Sequence, residues 1–396
     1  MDCFSCTFFT NTRSIRLFGH RRGQTINSSV NRYYSKAKKI PKIPLLIITL
    51  ISTYGIVVLY SINSGNFHPW GYNQLIRFAC GLCLLLVTAA IPVSFWKKYS
   101  YWLYLIGLFL LFCVLMVGER RMGAQRWLNL RIFSFQPSEI MRVFIILVLA
   151  RYFSNKTTLE IRYTFNVIAP LFLLFIPILF VLWQPDLGTA MLFVFVGVVI
   201  FFVCGVQTWK FAIVIVSFLV SMPIVWSFLH DYQKNRILMF FSPEKDPSGA
   251  GYHIIQSQIA LGSGGFWGKG LMHGSQCQLN FLPEKQTDFV FSALGEELGF
   301  VGGSALIILY AILIIYNLSI AMDQKDKFAR ILVFGLNSML SFYVFINIAM
   351  VCGLAPVVGI PLPFFSYGGS SLLMLMFSQG LIFSCAIEQM KQSKFP

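Results

Sequence analysis

Ten largely apolar segments, each long enough to cross a lipid bilayer as a helix, dominate this 396-residue chain. An α-helix needs about 20 apolar residues to cross the hydrocarbon core, because each residue adds about 1.5 Å of length. At 57% hydrophobic and 12% charged residues, the chain does not have the composition of a soluble protein. The sequence predicts an all-α polytopic membrane protein with about ten transmembrane helices, centred near Tyr54, Leu84, Leu108, Ile146, Phe175, Val196, Phe218, Leu309, Leu340 and Phe377.

The positive charge predicts the orientation of these helices. In a soluble protein a net charge of +16 would suggest nucleic-acid binding, but here the Lys and Arg residues gather in the loops on one side. Loops on the cytoplasmic side of a membrane are enriched in Lys and Arg. Ten spans with both termini in the cytoplasm satisfy this rule, with the basic positions at residues 1–43, Lys97, Lys98, Arg151, Lys156, Arg162, Lys210, Lys325, Lys327, Arg330, Lys391 and Lys394.

The chain divides into a basic extension, one membrane domain and a short tail. Residues 1–43 are rich in Arg and Ser, and we interpret them as a disordered cytoplasmic tail or a misassigned start, with an organelle transit peptide as the alternative. Residues 44–390 form the membrane domain, and residues 391–396 form a cytoplasmic tail. A large extracytoplasmic loop, residues 230–287, precedes the eighth span, and a Pro/Gly-rich outer loop, Gly353–Ser370, precedes the tenth.

The Pro/Gly-rich outer loop predicts a cavity. Its sequence is too apolar for a solvated loop and contains too much Pro and Gly for a helix. Irregular backbone at membrane depth is tolerated only where it is buried in protein or lines a cavity. We therefore expect a cavity that opens to the outer face.

Two kinds of charged residue stand out near this predicted face. Asp288 ends the long loop and precedes an apolar helix, where a carboxylate is costly to desolvate; capping of that helix by Thr287 or Asp288 is the simpler interpretation. The loop 119–136 carries four arginines on the side that the charge rule disfavours, which indicates an anionic ligand. Arg126 is the best placed of them, and contact with lipid headgroups is the alternative for Arg120, Arg121 and Arg131.

Other charged residues lie within or at the ends of spans. Glu139 and Arg142 are three positions apart on one helix face, so they can pair inside the fourth span, with a purely structural ion pair as the alternative. Asp186 is predicted to cap the following helix. Glu296 and Glu297 are weak candidates for a metal site, with a structural role as the alternative.

Seven ordered groups of motifs carry a family resemblance. They are Gln136-Pro-Ser-Glu139; Trp183-Gln-Pro-Asp-Leu-Gly-Thr189; Gly251-Tyr-His253 with Gln256-Ser257; Gly262-Ser-Gly-Gly265; Leu282-Pro-Glu284 with Thr287-Asp288-Phe289; Gly295-Glu-Glu297; and Ile360-Pro-Leu-Pro363 with Ser366-Tyr-Gly-Gly-Ser370. In this order they resemble the SEDS family (shape, elongation, division and sporulation), from about Leu45 to the C-terminus. Asn347-Ile-Ala-Met350 and the Pro-rich segment 356–363 resemble the RodA-like branch more than the FtsW-like branch.

The resemblance implies a peptidoglycan glycosyltransferase that polymerises lipid II during cell-wall elongation and rod-shape maintenance. Asp288 would be the general base, and a polyprenyl pyrophosphate would be the leaving group. The implied partners are a class B penicillin-binding protein transpeptidase and other membrane proteins of the elongation complex. No organic cofactor is implied, and a divalent cation is allowed. The implied substrate-binding or supporting residues are Arg126, Glu139, Arg142, Glu284, Thr287, Ser366 and Ser370.

The resemblance also implies the bacterial cytoplasmic (inner) membrane, with the active site facing the periplasm. Two residues depart from the family pattern. Arg142 stands where the family usually has Lys, and Gln286 stands where it often has His. Arg cannot give up a proton, so the resemblance does not carry over a mechanism that needs a neutral lysine there. Three alternatives remain open: an FtsW-like divisome polymerase, a lipid II flippase or transporter, and a non-catalytic scaffold.

Overall fold

A computed structural model describes residues 40–121, 124–129, 134–228, 234, 238, 250–279, 281–282 and 284–392. The contacts divide the chain into residues 1–40, of which only Ile40 is described, and residues 41–396, which contain every element below. Most of the predicted basic extension, most of residues 230–249 and residues 393–396 of the predicted tail lie outside the described residues.

Every one of the ten predicted spans is helical in the structure. The prediction of a mostly helical polytopic protein is therefore confirmed. The helices are α1 (Lys42–Ile62), α2 (Trp70–Ala90), α3 (Val93–Val117), α4 (Pro137–Ser154), α5 (Thr158–Arg162), α6 (Phe165–Trp183), α7 (Leu187–Val203), α8 (Thr208–Phe228), α9 (Ala250–Ser263), α10 (Ser275–Gln278), α11 (Val290–Asp323), α12 (Lys327–Val351) and α13 (Ser370–Gln392).

Seven of the described helices are long and apolar enough to cross a membrane: α1, α2, α3, α6, α11, α12 and α13. Helix α7 is apolar but shorter, with 17 residues, and α8 is apolar over Thr208–Ile224. Helix α4 has 18 residues, contains Glu139 and Arg142, and has most of its side chains buried. It packs against α3, α7 and α12. Because neighbouring helices surround α4, its charged side chains face protein and do not have to face lipid.

A small antiparallel sheet occupies the loop between α3 and α4. Its strands are β1 (Glu119–Arg121), β2 (Ala124–Asn129) and β3 (Ser134–Phe135), in the order β1-β2-β3. The all-α prediction missed this element, because strands of two to six residues are too short to show a clear alternation of polar and apolar side chains. The strands form part of the connection that carries Arg126 to the end of α4.

The Pro/Gly-rich outer loop is packed inside the protein. Phe364 and Phe365 are buried, and the ring of Phe365 contacts the edge of Tyr54 at 5.5 Å between centroids. A Cβ atom at Gly55 would lie 2.4 Å from the carbonyl oxygen of Phe365, so α1 contacts the loop backbone directly. These contacts fix an irregular segment between helices, as expected for backbone at membrane depth.

A glycine-rich segment, residues 262–270, fixes the first part of α11. The helix is interrupted at Gly299, which has φ of 63° and ψ of −160°. A Cβ atom at Gly264 would lie 1.9 Å from the carbonyl oxygen of Gly295, so only glycine allows this approach. The N–H of Lys269 donates to the carbonyl of Glu296 at 3.0 Å. The segment thus supports the helix end that follows Asp288.

Candidate active site

Four helices begin around one cavity of about 370 Å³. They are α4, α7, α11 and α13, and each contributes residues at or just before its N-terminus. Helix N-termini carry partial positive charge and unpaired N–H groups, which favour anions. The lining residues are Arg126, Trp127, Gln136, Glu139, Arg142, Asp186, Gly188, Thr189, His253, Glu284, Thr287, Asp288, Phe289, Tyr343, Val357, Val358, Gly359, Ile360, Pro361, Tyr367, Gly368, Gly369, Ser370 and Ser371.

Asp288 lines this cavity at the end of a tight turn. Glu284 has a φ of 48°, and its carbonyl accepts hydrogen bonds from the N–H of Thr287 at 3.0 Å and from its hydroxyl at 3.3 Å. Glu284 and Thr287, both predicted site residues, therefore build the turn that presents Asp288. Phe289 occupies the N-cap position of α11, so Asp288 and Thr287 lie one and two residues before the cap.

The outer loop forms the wall that faces Asp288. Gly359 has a φ of 74°, and a Cβ atom there would lie 3.5 Å from Oδ2 of Asp288. Because Gly359 has no side chain, the loop backbone itself faces the carboxylate of Asp288. The cavity predicted from this loop is present, and residues Val357–Pro361 line it.

Arg142 and Glu139 both line the cavity, but they do not form the close ion pair that their spacing suggested. Arg142 donates from Nη2 to the hydroxyl of Thr189 at 2.9 Å and lies 5.3 Å from the ring centroid of Tyr343. The carboxyl of Glu139 faces Ser370. The i,i+3 spacing places both residues on one face, but the contacts of Arg142 are with Thr189 on α7 and Tyr343 on α12.

Asp186 connects the two lining arginines. Its Oδ1 accepts from the N–H of Thr189 at 3.2 Å, which confirms the predicted N-cap of α7. Its Oδ2 accepts from the hydroxyl of Thr189 at 2.8 Å and lies 3.4 Å from Nε of Arg126. Arg142 is joined to the same group through Thr189. The capping residue therefore also anchors Arg126, a role that the sequence did not reveal. Arg120 and Arg121 lie in β1, their side chains are outside the described part of the chain, and so is Arg131.

The two predicted serines have different positions. Ser370 begins α13 and lines the cavity. Ser366 is buried and accepts a hydrogen bond from the N–H of Leu362 at 2.8 Å, so it shapes the outer loop and does not line the cavity. Gln286, one of the two departures from the family pattern, donates to Oε2 of Glu284 at 3.4 Å. Its carbonyl accepts from the N–H of Tyr367, which joins the Asp288 turn to the outer loop.

Glu296 and Glu297 are buried beside the glycine-rich segment and do not line the cavity. Oε1 of Glu296 accepts from Nζ of Lys269 at 2.7 Å and from the N–H of Gln276 at 3.0 Å. These contacts are those of a structural carboxylate. The described residues contain no group of three or more His, Cys, Asp or Glu that could hold a metal. Since no such ligand set is found, we assign no step to a metal, and a divalent cation remains an expectation from the resemblance.

Lys285 does not line the cavity, although it follows Glu284, which does. Its Nζ donates to the carbonyl of Cys277 at 2.6 Å, and only 9% of the residue is exposed. Burial lowers the pKa of Lys285 from its ordinary value. We therefore interpret Lys285 as a structural residue that connects the turn before Asp288 to the backbone of Cys277.

Three residues near the site were missed by the sequence reasoning. Tyr343 lines the cavity and contacts Arg142. Asn347 is buried on α12 and bonds to the backbone of Asp288. The guanidinium of Arg77 on α2 lies 4.3 Å from the ring centroid of Tyr367, which is a lining residue. A polar or charged residue inside an otherwise apolar span is the sequence feature that could have identified Arg77 and Asn347. We applied this criterion only to Glu139 and Arg142.

Comparisons with known proteins agree on one family. The family model for FtsW, RodA and SpoVE, described as cell cycle protein, matches residues 41–391. The chain is 42% identical over 371 residues to the peptidoglycan glycosyltransferase MrdB of Escherichia coli strain K12, covering 93% of this chain and 99% of that protein.

Two solved structures are similar over most of the chain. One belongs to a study described as "Structural coordination of polymerization and crosslinking by a peptidoglycan synthase complex", with a TM-score of 0.76, 29% identity and coverage of 88% of this chain and 98% of that chain. The other is the rod shape determining protein RodA of Thermus thermophilus, with a TM-score of 0.66, 27% identity and coverage of 87% and 96%.

Proposed function

The chain belongs to the FtsW/RodA/SpoVE family of cell cycle proteins, and we propose on that premise that it polymerises lipid II as a peptidoglycan glycosyltransferase during cell-wall elongation. The similarity to MrdB extends over 93% of the chain and supports the enzyme class. The observation that carries the proposal for the site is the placement of Asp288 in the same cavity as Arg126 and Arg142. This cavity offers a base and cations together, which the reaction requires.

The reaction needs a proton acceptor at the attacking hydroxyl. The C4 hydroxyl of the acceptor sugar attacks the anomeric carbon of the donor, and the bond to the polyprenyl pyrophosphate breaks. Asp288 accepts the hydroxyl proton as the new glycosidic bond forms. Proton transfer by a positioned group typically contributes ~10²–10⁴ in rate. The acceptor sugar would occupy the cavity of about 370 Å³ that Asp288 lines.

The leaving group needs positive charge. Arg126 and Arg142 line the cavity together with four acidic side chains, so the arginines alone do not make the site cationic. The N-termini of α4, α7, α11 and α13 add partial positive charge around the same space. Preorganised donors of this kind stabilise charge that develops in the transition state. We assign the pyrophosphate to the side of the cavity formed by Arg126, Arg142 and Thr189.

Polymerisation in detergent micelles tests the function against the flippase alternative. A micelle has no second compartment, so a transporter yields no new product from lipid II, whereas a polymerase yields glycan chains and free polyprenyl pyrophosphate. We expect the purified wild-type protein to form both products without another glycosyltransferase. Recovery of unchanged lipid II from the wild-type protein, under conditions where MrdB is active, would contradict the proposal.

We propose that the protein lies in the bacterial inner membrane with both termini in the cytoplasm. The cavity would then face the periplasm. Arg151, at the far end of α4 from the cavity, donates to the carbonyls of Lys97 and Lys98. Lys327 donates to the carbonyl of Lys156 at that same end. This concentration of positive charge supports a cytoplasmic location for the end opposite the cavity.

A single cysteine at Leu279 tests this orientation. Leu279 is 64% exposed and lies in the segment between α10 and α11. In a cysteine-free background, we expect Leu279→Cys to react with a membrane-impermeant maleimide added outside spheroplasts. A cysteine at Lys325, between α11 and α12, provides the matched cytoplasmic control and should react only after permeabilisation. The reverse pattern would overturn the orientation.

The proposed partner is a class B penicillin-binding protein, the transpeptidase that crosslinks new glycan. Support comes from the similarity to a chain studied in a peptidoglycan synthase complex, which coordinates polymerisation with crosslinking. Other membrane proteins of the elongation complex are expected partners from the family alone. Co-purification of tagged protein with the transpeptidase from membranes, against an unrelated polytopic protein as control, is the corresponding measurement.

A further inference from the structure

Asn347 joins the two loops that enclose the candidate base. It lies on α12, and its side chain is completely buried. Its Nδ2 donates one hydrogen bond to the carbonyl of Asp288 at 3.0 Å and another to the carbonyl of Ile360 at 2.7 Å. An amide nitrogen carries two hydrogens, so both of its donors are used. The two carbonyl acceptors also determine which end of the amide faces the loops.

The two acceptor carbonyls belong to the two loops that meet at the carboxylate of Asp288. Asp288 carries the carboxylate, and Ile360 follows Gly359, the position that would meet Oδ2 at 3.5 Å if it had a Cβ. One buried amide therefore ties the turn before α11 to the wall that faces its carboxylate. A change in either loop would alter the distance between the base and the space beside it.

The other end of the amide indicates that stability alone does not explain this residue. Oδ1 of Asn347 is buried and has no hydrogen-bond partner among the residues that the structure describes. A buried acceptor without a partner destabilises the fold, whereas an apolar side chain of similar shape would not carry that penalty. The feature that favours Asn at this position is the pair of N–H groups and the loop geometry that they set.

We propose that Asn347 is a positioning residue for glycan polymerisation, acting through the backbone of Asp288. The inference rests on the proposed function, because it assigns the residue a part in that reaction. Asn347 does not line the cavity, so it does not bind substrate directly. Its effect should therefore fall on the rate of the chemical step and leave substrate binding unchanged.

Asn347→Leu tests the proposal because it keeps the approximate side-chain size and removes both donors. Misplacement of a reacting group by about 1 Å can reduce a rate ~10²-fold. We expect kcat for lipid II polymerisation to fall ~10- to 100-fold on that basis, with KM within about twofold of the wild type. Asn347→Ser keeps one hydroxyl donor and should retain an intermediate kcat.

Asn337→Leu is the matched control. Asn337 is also buried on α12, its Nδ2 donates to the carbonyl of Ile314 at 3.2 Å, and its Oδ1 likewise has no partner in the described part of the chain. It does not contact the loop that carries Asp288. We expect Asn337→Leu to keep the wild-type kcat, with any change limited to the melting temperature.

Three outcomes would overturn the proposal: an unchanged kcat in folded Asn347→Leu, an increase in KM alone, or an equal loss of activity in the Asn337 control. If the Leu variant does not fold, folded Asn347→Ser decides the question, and a wild-type kcat there would overturn it. Wild-type protein and Asp288→Asn are measured in the same assay. An inactive wild type would contradict the proposed function itself, so the two failures are distinguishable.

Discussion

Arg142→Ala is expected to lose polymerisation by ~10²-fold or more, by analogy with the removal of one preorganised donor from a transition-state site. Arg142 is 8% exposed and lines the cavity beside Thr189 and Tyr343. Its charge acts in a water-poor environment, where electrostatic interactions are stronger than in bulk water. Arg142→Lys keeps the charge and should retain much of the activity, although it loses the planar fork of donors. Glycan formation by the purified variants measures both effects.

A loss in Arg142→Ala has a structural explanation that must be separated from the catalytic one. Removing a buried cation leaves Glu139 and Asp186 with less compensation, which can destabilise the fold. Melting temperature and the amount of monodisperse protein measure that effect. Thr189→Val is the matched control for the orientation of the Arg142 side chain. It removes the hydroxyl that accepts from Arg142 and keeps the charge of Arg142. Full activity in folded Arg142→Ala would show that Arg142 is a structural residue.

Asp288→Asn is expected to reduce glycan synthesis by ~10² or more, the usual contribution of a positioned general base. Asn preserves the shape of the side chain and removes the proton acceptor. A helix cap would tolerate the change, because Asn caps about as well as Asp. Phe289 holds the N-cap position of α11, so Asp288 lies one residue before the cap, and the variant separates capping from proton transfer. Asp288→Glu should also be poor, because the added methylene moves the carboxylate within a space bounded by Gly359.

Much of the fold could be predicted because it depends on local properties of the sequence. The length and apolarity of a segment decide whether it can cross a bilayer, so each of the ten predicted spans falls on a helix, and seven of those described helices are long and apolar enough to cross a membrane. Charged residues interrupt the apolar sequence of α4, and its neighbours bury them, which makes charge tolerable inside a span. The Pro/Gly-rich outer loop was linked to a cavity by the same reasoning about unpaired backbone.

The contacts within the site could not be predicted, because they depend on residues far apart in the chain. Spacing placed Glu139 and Arg142 on one face, but the guanidinium of Arg142 bonds to the hydroxyl of Thr189, 47 residues away in the chain. The bonds from Asn347 to Asp288 and Ile360 join positions separated by 59 and 13 residues. No local pattern reports such pairs. The roles assigned to the site residues therefore stay predictions until variants are measured.

The most direct test is lipid II polymerisation by purified wild-type protein and Asp288→Asn, each free of other glycosyltransferases and matched for folded protein. Chain formation and release of polyprenyl pyrophosphate are followed together. We expect the wild type to give both products and Asp288→Asn to give neither above ~1% of the wild-type rate, in line with the loss of a general base. Near-normal polymerisation by folded Asp288→Asn would contradict the assignment of Asp288 as the base of this enzyme.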